Sequence, residues 1–171
     1  MKDAKKIALA GIFTALAVVF LFVGSLFQTL DLSAAALGSI IILIALIEIG
    51  KGWAIGVYVS VSLLSMLLIP NKTAALIFML FSGFYPIIKA PLNRIKPIWF
   101  SYLVRITVFN AFLTALVYFS KQFFGIEEDF IGFGVIIYAL CNITFLVYDF
   151  ALERIAVTYI SRIKPMLFRR R

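Results

Sequence analysis

Four polar or ionisable residues recur along the last long apolar stretch of the chain. They are Tyr138, Asn142, Asp149 and Glu153. At 100° per residue of an α-helix these positions share one face. Groups of this kind are costly in hydrocarbon, so the face should point towards the interior of a helix bundle or a watery cavity. We predict that Asp149 and Glu153 tie helices together and do not act as catalysts.

A second polar stripe occupies the preceding apolar stretch. It consists of Thr107, Asn110, Thr114 and Tyr118, and Lys121 continues it beyond the apolar run. Because polar groups in a membrane seek one another, the two stripes are predicted to face each other.

Arg105 belongs to the same apolar stretch but lies roughly opposite Asn110 on a helix. A long basic side chain near the inner end of a span can extend to the cytoplasmic headgroups, which is the favoured interpretation. Pairing with Glu48 or Asp149 at similar depth is the alternative.

The inventory of reactive side chains is narrow. The chain has no histidine and one cysteine, Cys141. This excludes Cys/His zinc sites, Ser-His-Asp triads and imidazole proton relays, and leaves open only a metal site made of carboxylates. A nucleotide-binding loop is also missing from the sequence. We therefore predict a protein that is not an enzyme and holds no cofactor.

The elements that must position these residues are membrane-spanning helices. The first stretch, 7–30, holds 24 consecutive residues without a charge, and about 20 residues suffice to cross a hydrocarbon core. Gly83 and Pro86 should weaken or kink the end of the fourth span. The fold class predicted is all-α: one integral membrane domain over 1–171, a polytopic bundle of six transmembrane helices. The predicted spans are 7–30, 32–49, 53–69, 74–88, 98–119 and 130–159.

The distribution of basic residues orients this bundle. Of 16 lysines and arginines, Lys72 and Lys121 fall outside and Arg105 within a span, which leaves thirteen in segments assigned to the cytoplasm. The asymmetry predicts that both termini are cytoplasmic, in a bacterial cytoplasmic membrane. It also accounts for the net charge of +8 without nucleic acid as a partner. The lipid bilayer is the partner it implies.

Small residues recur along the first helix at Ala4, Ala8, Gly11 and Ala15. Spacings of four, three and four place them in one narrow stripe, and small side chains let helices approach closely. The stripe either packs against another span of the same chain or docks a separate membrane subunit.

Polar residues of the outer loops offer a candidate binding site. The residues singled out are Asn71, Lys72, Tyr118 and Lys121. Together with neighbouring aromatic side chains they are predicted to rim a mostly apolar pocket for a small organic ligand, with ordinary interfacial loops as the alternative. A lysine there would favour a ligand that carries a carboxylate or phosphate.

In size, span number, short loops, basic N-terminus and small-residue stripe, the chain resembles the substrate-binding S components of energy-coupling factor vitamin transporters. The resemblance implies that Ala4, Ala8, Gly11 and Ala15 contact a transmembrane coupling subunit, which works with ATPase subunits. It also implies that a vitamin or precursor binds near the extracellular side. The alternative is a small integral scaffold without a ligand, similar in size and span number to the bacterial rod-shape-determining membrane protein.

Overall fold

The computed structural model describes residues 2–27, 30–70, 72–92, 96, 98–124 and 130–168. All regular secondary structure in these residues is helical. The α-helices in chain order are α1 Lys2–Ser25, α2 Asp31–Ile49, α3 Lys51–Leu68, α4 Lys72–Ile77, α5 Tyr85–Leu92, α6 Ile98–Phe124, α7 Phe130–Thr158 and α8 Lys164–Phe168. Two π-helical turns interrupt this series. The first, Phe78–Ser82, follows α4 and precedes α5, and the second, Tyr159–Ile163, connects α7 to α8.

Helix α2 lies at the centre of the structure. It packs against α1, α3, α4, α5, α7 and the first π-helical turn. Its buried positions include Ala34, Ala35, Gly38 and Ser39, whose small side chains let neighbouring helices come close. A Cβ added at Gly38 would lie 3.0 Å from the ring of Phe78.

Helix α1 ends earlier than the apolar run that contains it. The helix starts at Lys2 and stops at Ser25, whereas the apolar run continues to Leu30. A Cβ on Gly24 would lie only 2.1 Å from the Cβ of Ala34, so the backbone of α1 crosses close to α2 here. Because α1 and α2 come together at this point, α1 ends before the apolar run does. Hydropathy alone does not show where a helix ends within an apolar run.

Large apolar side chains cover much of the outer surface. Examples are Ile12 on α1, Leu67 on α3, Leu103 on α6 and Val147 on α7, all more than half exposed. Soluble proteins rarely expose so much contiguous apolar surface, so this exterior is compatible with a membrane location.

Four helical stretches of the described chain are long and apolar enough to cross a membrane. They are Asp3–Ser25, Asp31–Ile49, Lys51–Leu68 and Lys72–Leu92. Helices α6 and α7 contain 27 and 29 residues. The count of six spans and the side of the two termini stay predictions.

The fourth stretch is a broken helix, α4 to α5. The Gly83 amide donates to the Phe78 carbonyl at 2.8 Å, a bond five residues long that widens the helix by one residue. Pro86 follows in the first turn of α5, where a missing amide proton is tolerated. The helix resumes and continues to Leu92, beyond the predicted end of the span at residue 88.

Candidate functional site: an apolar cavity above a buried ion cluster

A cavity of about 570 Å³ lies between α2, the first π-helical turn (Phe78–Ser82), α6 and α7. Its volume falls within the range of pockets that hold drug-sized ligands. The wall is almost entirely apolar, and four phenylalanines dominate it: Phe81, Phe109, Phe112 and Phe145. None of the described lining residues carries a charge.

The phenylalanines form one packed aromatic layer. The ring centroid of Phe81 lies 5.1 Å from that of Phe109, 5.9 Å from Phe112 and 5.6 Å from Phe145. Phe109 and Phe145 stack with centroids 4.5 Å apart. The layer extends to Tyr85, whose ring lies 5.1 Å from Phe81 and 5.3 Å from Phe145. Tyr85 thus joins the cavity wall to the charged residues beyond it.

The break in the fourth stretch places a polar contact at the wall. Proline lacks the amide that would bond the carbonyl four residues earlier, so Pro86 leaves the Ser82 carbonyl oxygen without its helical donor. The Tyr148 hydroxyl lies 3.3 Å from this oxygen and donates to Ser39 Oγ at 2.7 Å. Ser82 Oγ donates to the Ala35 carbonyl of α2 at 3.0 Å. These bonds connect α2, the broken helix and α7 around the cavity.

A cluster of buried ionisable side chains lies on the far side of the aromatic layer, centred on Asp149. Tyr85 donates to Asp149 Oδ1 at 2.5 Å, and Lys89 Nζ lies 2.6 Å from the same oxygen. Arg105 Nη1 donates to Asp149 Oδ2 at 2.8 Å. Lys89 also donates to the backbone carbonyl of Asp149. One carboxylate thus holds groups from α5 and α6 against α7.

The cluster carries more positive than negative charge at its core. The side chains of Lys89, Arg105 and Asp149 are 7%, 6% and 3% exposed, so two cations share one buried anion. Glu153 lies 3.9 Å from Lys89 but is half-exposed, so it compensates only in part. The Arg105 guanidinium also stands over the Tyr102 ring at 4.9 Å. Such a group of charges is stable only while its partners stay in place.

This arrangement corrects the favoured prediction for Arg105. The guanidinium does not extend to headgroups but pairs with Asp149, the alternative left open by the sequence. Glu48, the other candidate, pairs with Lys164 at 3.5 Å and accepts from the Tyr159 hydroxyl at 3.3 Å. Lys89, which the sequence places in a cytoplasmic loop, is a buried residue of α5.

The two polar stripes meet where they were predicted to. Asn110 and Asn142 exchange side-chain hydrogen bonds of 2.9 and 3.1 Å. The Thr114 and Tyr138 hydroxyls lie 3.3 Å apart. Reciprocal amide pairs satisfy both groups in a medium without water, so they tie α6 to α7.

Of the outer residues predicted to bind a ligand, Lys72 and Tyr118 are not among the described residues that line this cavity. Lys72 donates to the carbonyls of Met66 and Ile69 at 2.6 and 2.7 Å, which satisfies the C-terminal end of α3. Tyr118 is 65% exposed. Asn71 and the side chain of Lys121 lie outside the described residues. Their role in binding stays a prediction.

The stripe Ala4, Ala8, Gly11 and Ala15 is exposed on α1. A Cβ added at Gly11 would meet nothing within 4 Å. In the described residues this face of α1 therefore does not pack against another helix of the same chain, which was one of the two alternatives for the stripe. The close packing of α1 occurs instead at Gly24.

Sequence reasoning missed Tyr85, Lys89 and the phenylalanine layer. Tyr85 and Lys89 are four residues apart and share a helix face, a spacing that matches that of Asp149 and Glu153. That correspondence was the available signal for the cluster. Phenylalanines at a cavity cannot be told from phenylalanines that face lipid by spacing alone. Among the described residues no three of His, Cys, Asp and Glu are grouped so that they could hold a metal ion.

No protein-family model matches the chain, and neither the curated proteins nor the solved structures include a similar one.

Proposed function

We propose that this chain is the substrate-binding membrane subunit of a small-molecule uptake transporter, a six-span protein of the cytoplasmic membrane with both termini inside. The observation that carries the proposal is the cavity of about 570 Å³ bounded by α2, the broken helix, α6 and α7. A packed bundle without a ligand has little reason to keep such a void, because empty apolar volume forfeits packing energy. The substrate class that we propose is a small vitamin or vitamin precursor.

The proposal assigns energy supply to a separate module. The chain has no nucleotide-binding loop, so ATPase subunits acting through a transmembrane coupling subunit would drive transport. The exposed stripe of Ala4, Ala8, Gly11 and Ala15 supports a docking role, since a second helix can approach closely there.

A scaffold without a ligand is the second candidate. The cluster around Asp149 favours it, because ties between α5, α6 and α7 stabilise a bundle whether or not a ligand binds. The two candidates differ in what should accompany the purified protein.

The test is purification of the chain from its native host in mild detergent, with mass spectrometry of small molecules and of accompanying proteins. We expect a bound small molecule and a membrane coupling subunit. Ala8→Leu combined with Gly11→Leu should remove the coupling subunit and keep the small molecule. Gly11→Leu alone should also weaken the coupling subunit's retention, and Gly56→Leu is its matched control, because it adds the same side chain at another open glycine, on α3. A preparation with neither companion would favour the scaffold.

A further inference from the structure

Three of the four hydroxyl side chains among the described lining residues donate their protons inside the protein, and the fourth, Ser33, is exposed at the start of α2. Ser82 donates to the Ala35 carbonyl, Tyr148 to Ser39, and Thr144 to the Leu140 carbonyl at 2.9 Å. With no charged side chain among the described lining residues, the wall offers a ligand almost no hydrogen-bond donor. A carboxylate or phosphate placed there would lose its hydration without compensation.

The opening of the cavity lies along the flank of the bundle. Thr144, Val147 and Ala151 line it and are exposed, and their spacing places them on one face of α7. Leu32 and Ser33 are exposed lining residues at the start of α2. The surrounding surface is the apolar exterior described above, so the opening faces lipid.

We infer that the cavity takes an uncharged, largely hydrocarbon ring compound dissolved in the bilayer, which enters between α2 and α7. The inference rests on the proposed function and names the ligand class of that same site. Flat rings suit the wall because Phe81, Phe109 and Phe112 present faces and edges against which an aromatic or fused ring packs. The anionic ligand suggested by the outer lysines does not suit this cavity.

The experiment uses the full chain in lipid nanodiscs and an adamantyl-diazirine photolabel mapped by mass spectrometry. Two competitors of nearly equal shape are compared, 2-isopropylnaphthalene and 2-naphthoate, with each concentration measured in the bilayer. We expect 2-isopropylnaphthalene to protect the peptides that carry Phe109 and Phe145. Labels on lipid-facing peptides should not change. The carboxylate should compete at least about a hundredfold less well, because it cannot be solvated there.

Two variants fill the cavity, Ala36→Phe and Cys141→Phe, and either should abolish the protection. Ala111→Phe adds the same side chain at an exposed position of α6 that does not line the cavity, and it should keep the protection. Val147→Trp narrows the opening and should slow the onset of protection without changing its final extent.

The outcomes separate the ligand class from the function. Protection by 2-naphthoate as strong as by the hydrocarbon would overturn the inferred class and leave a binding subunit standing. Protection by neither compound, with the cavity peptides labelled equally in the wild type and Ala36→Phe, would overturn the proposed function too. An unchanged onset in Val147→Trp would overturn the route through the flank.

Discussion

Asp149 is the counterion of two buried cations, Lys89 and Arg105. Its oxygens accept from Tyr85 and pair with Lys89 and Arg105, and it is 2% exposed. Removal of one member of a buried ion pair leaves the other charges without compensation, which costs more than the pair itself contributes. The stability of the contact between α5, α6 and α7 should therefore depend on this carboxylate.

Asp149→Asn should lower the free energy of unfolding by about 3–5 kcal/mol, because Lys89 and Arg105 stay buried without their anion. Thermal unfolding in detergent or nanodiscs measures the loss. Glu153→Gln removes an equal charge from the same face of α7, but Glu153 is half-exposed and 3.9 Å from Lys89. This control should cost no more than about 1 kcal/mol.

Equal stability of the two variants would show that the cluster does not depend on Asp149. A further variant distinguishes charge from packing. If Lys89→Met and Arg105→Leu are added to an Asp149→Leu chain, much of the lost stability should return, since well-packed apolar groups replace buried ion clusters at little cost.

At the scale of helices, α1 carries two glycines with opposite surroundings. Gly24 lies against Ala34 of α2, whereas nothing surrounds the position of a Cβ at Gly11. Both fall in the same apolar helix, but only Gly11 belongs to a series of small residues spaced by three and four, the pattern by which membrane helices associate. The small-residue pattern therefore marks a face of α1 that permits close approach, whereas the close crossing of α1 and α2 occurs outside that pattern.

Gly24→Ala should destabilise the protein by about 1–3 kcal/mol, because the added methyl overlaps Ala34 and the helices must separate. Gly11→Ala should be neutral or stabilising by up to about 1 kcal/mol, since alanine is the better helix former. Unfolding of the two variants under the same conditions gives the comparison. A loss at Gly11 as large as that at Gly24 would contradict the assigned crossing of α1 and α2.

Helix existence and the meeting of polar stripes were predictable from sequence, whereas the cavity was not. Asn110 and Asn142 are polar groups in apolar helices, and the absence of water forces such groups together. The void between α2 and α7 depends on where the π-helical turn of the broken helix places Phe81. No local sequence pattern predicts that position. The sequence could not identify the partner of Arg105 either, because Glu48 and Asp149 lie at similar depths within their predicted spans.

For the whole molecule, the proposed topology makes a prediction that does not depend on any ligand. With six spans and cytoplasmic termini, residue 72 lies outside and residue 93 inside. In a Cys141→Ala background, Lys72→Cys in intact cells should react with a membrane-impermeant thiol reagent. Asn93→Cys should react only after permeabilisation. Labelling of both from the same side would rule out this topology.

The cluster around Asp149 also bears on how the chain is made. Lys89 and Arg105 belong to α5 and α6 and are synthesised before α7 supplies the carboxylate. A basic residue costs about 2.5–3.5 kcal/mol at the centre of an inserting helix and less towards its ends, where Lys89 and Arg105 lie, and Asp149 offsets this cost once α7 is made. A chain that terminates before α7 would hold two unneutralised cations, a feature by which membrane quality control can distinguish unfinished copies. Completion of the last long helix is thus the step that makes the earlier ones durable in the bilayer.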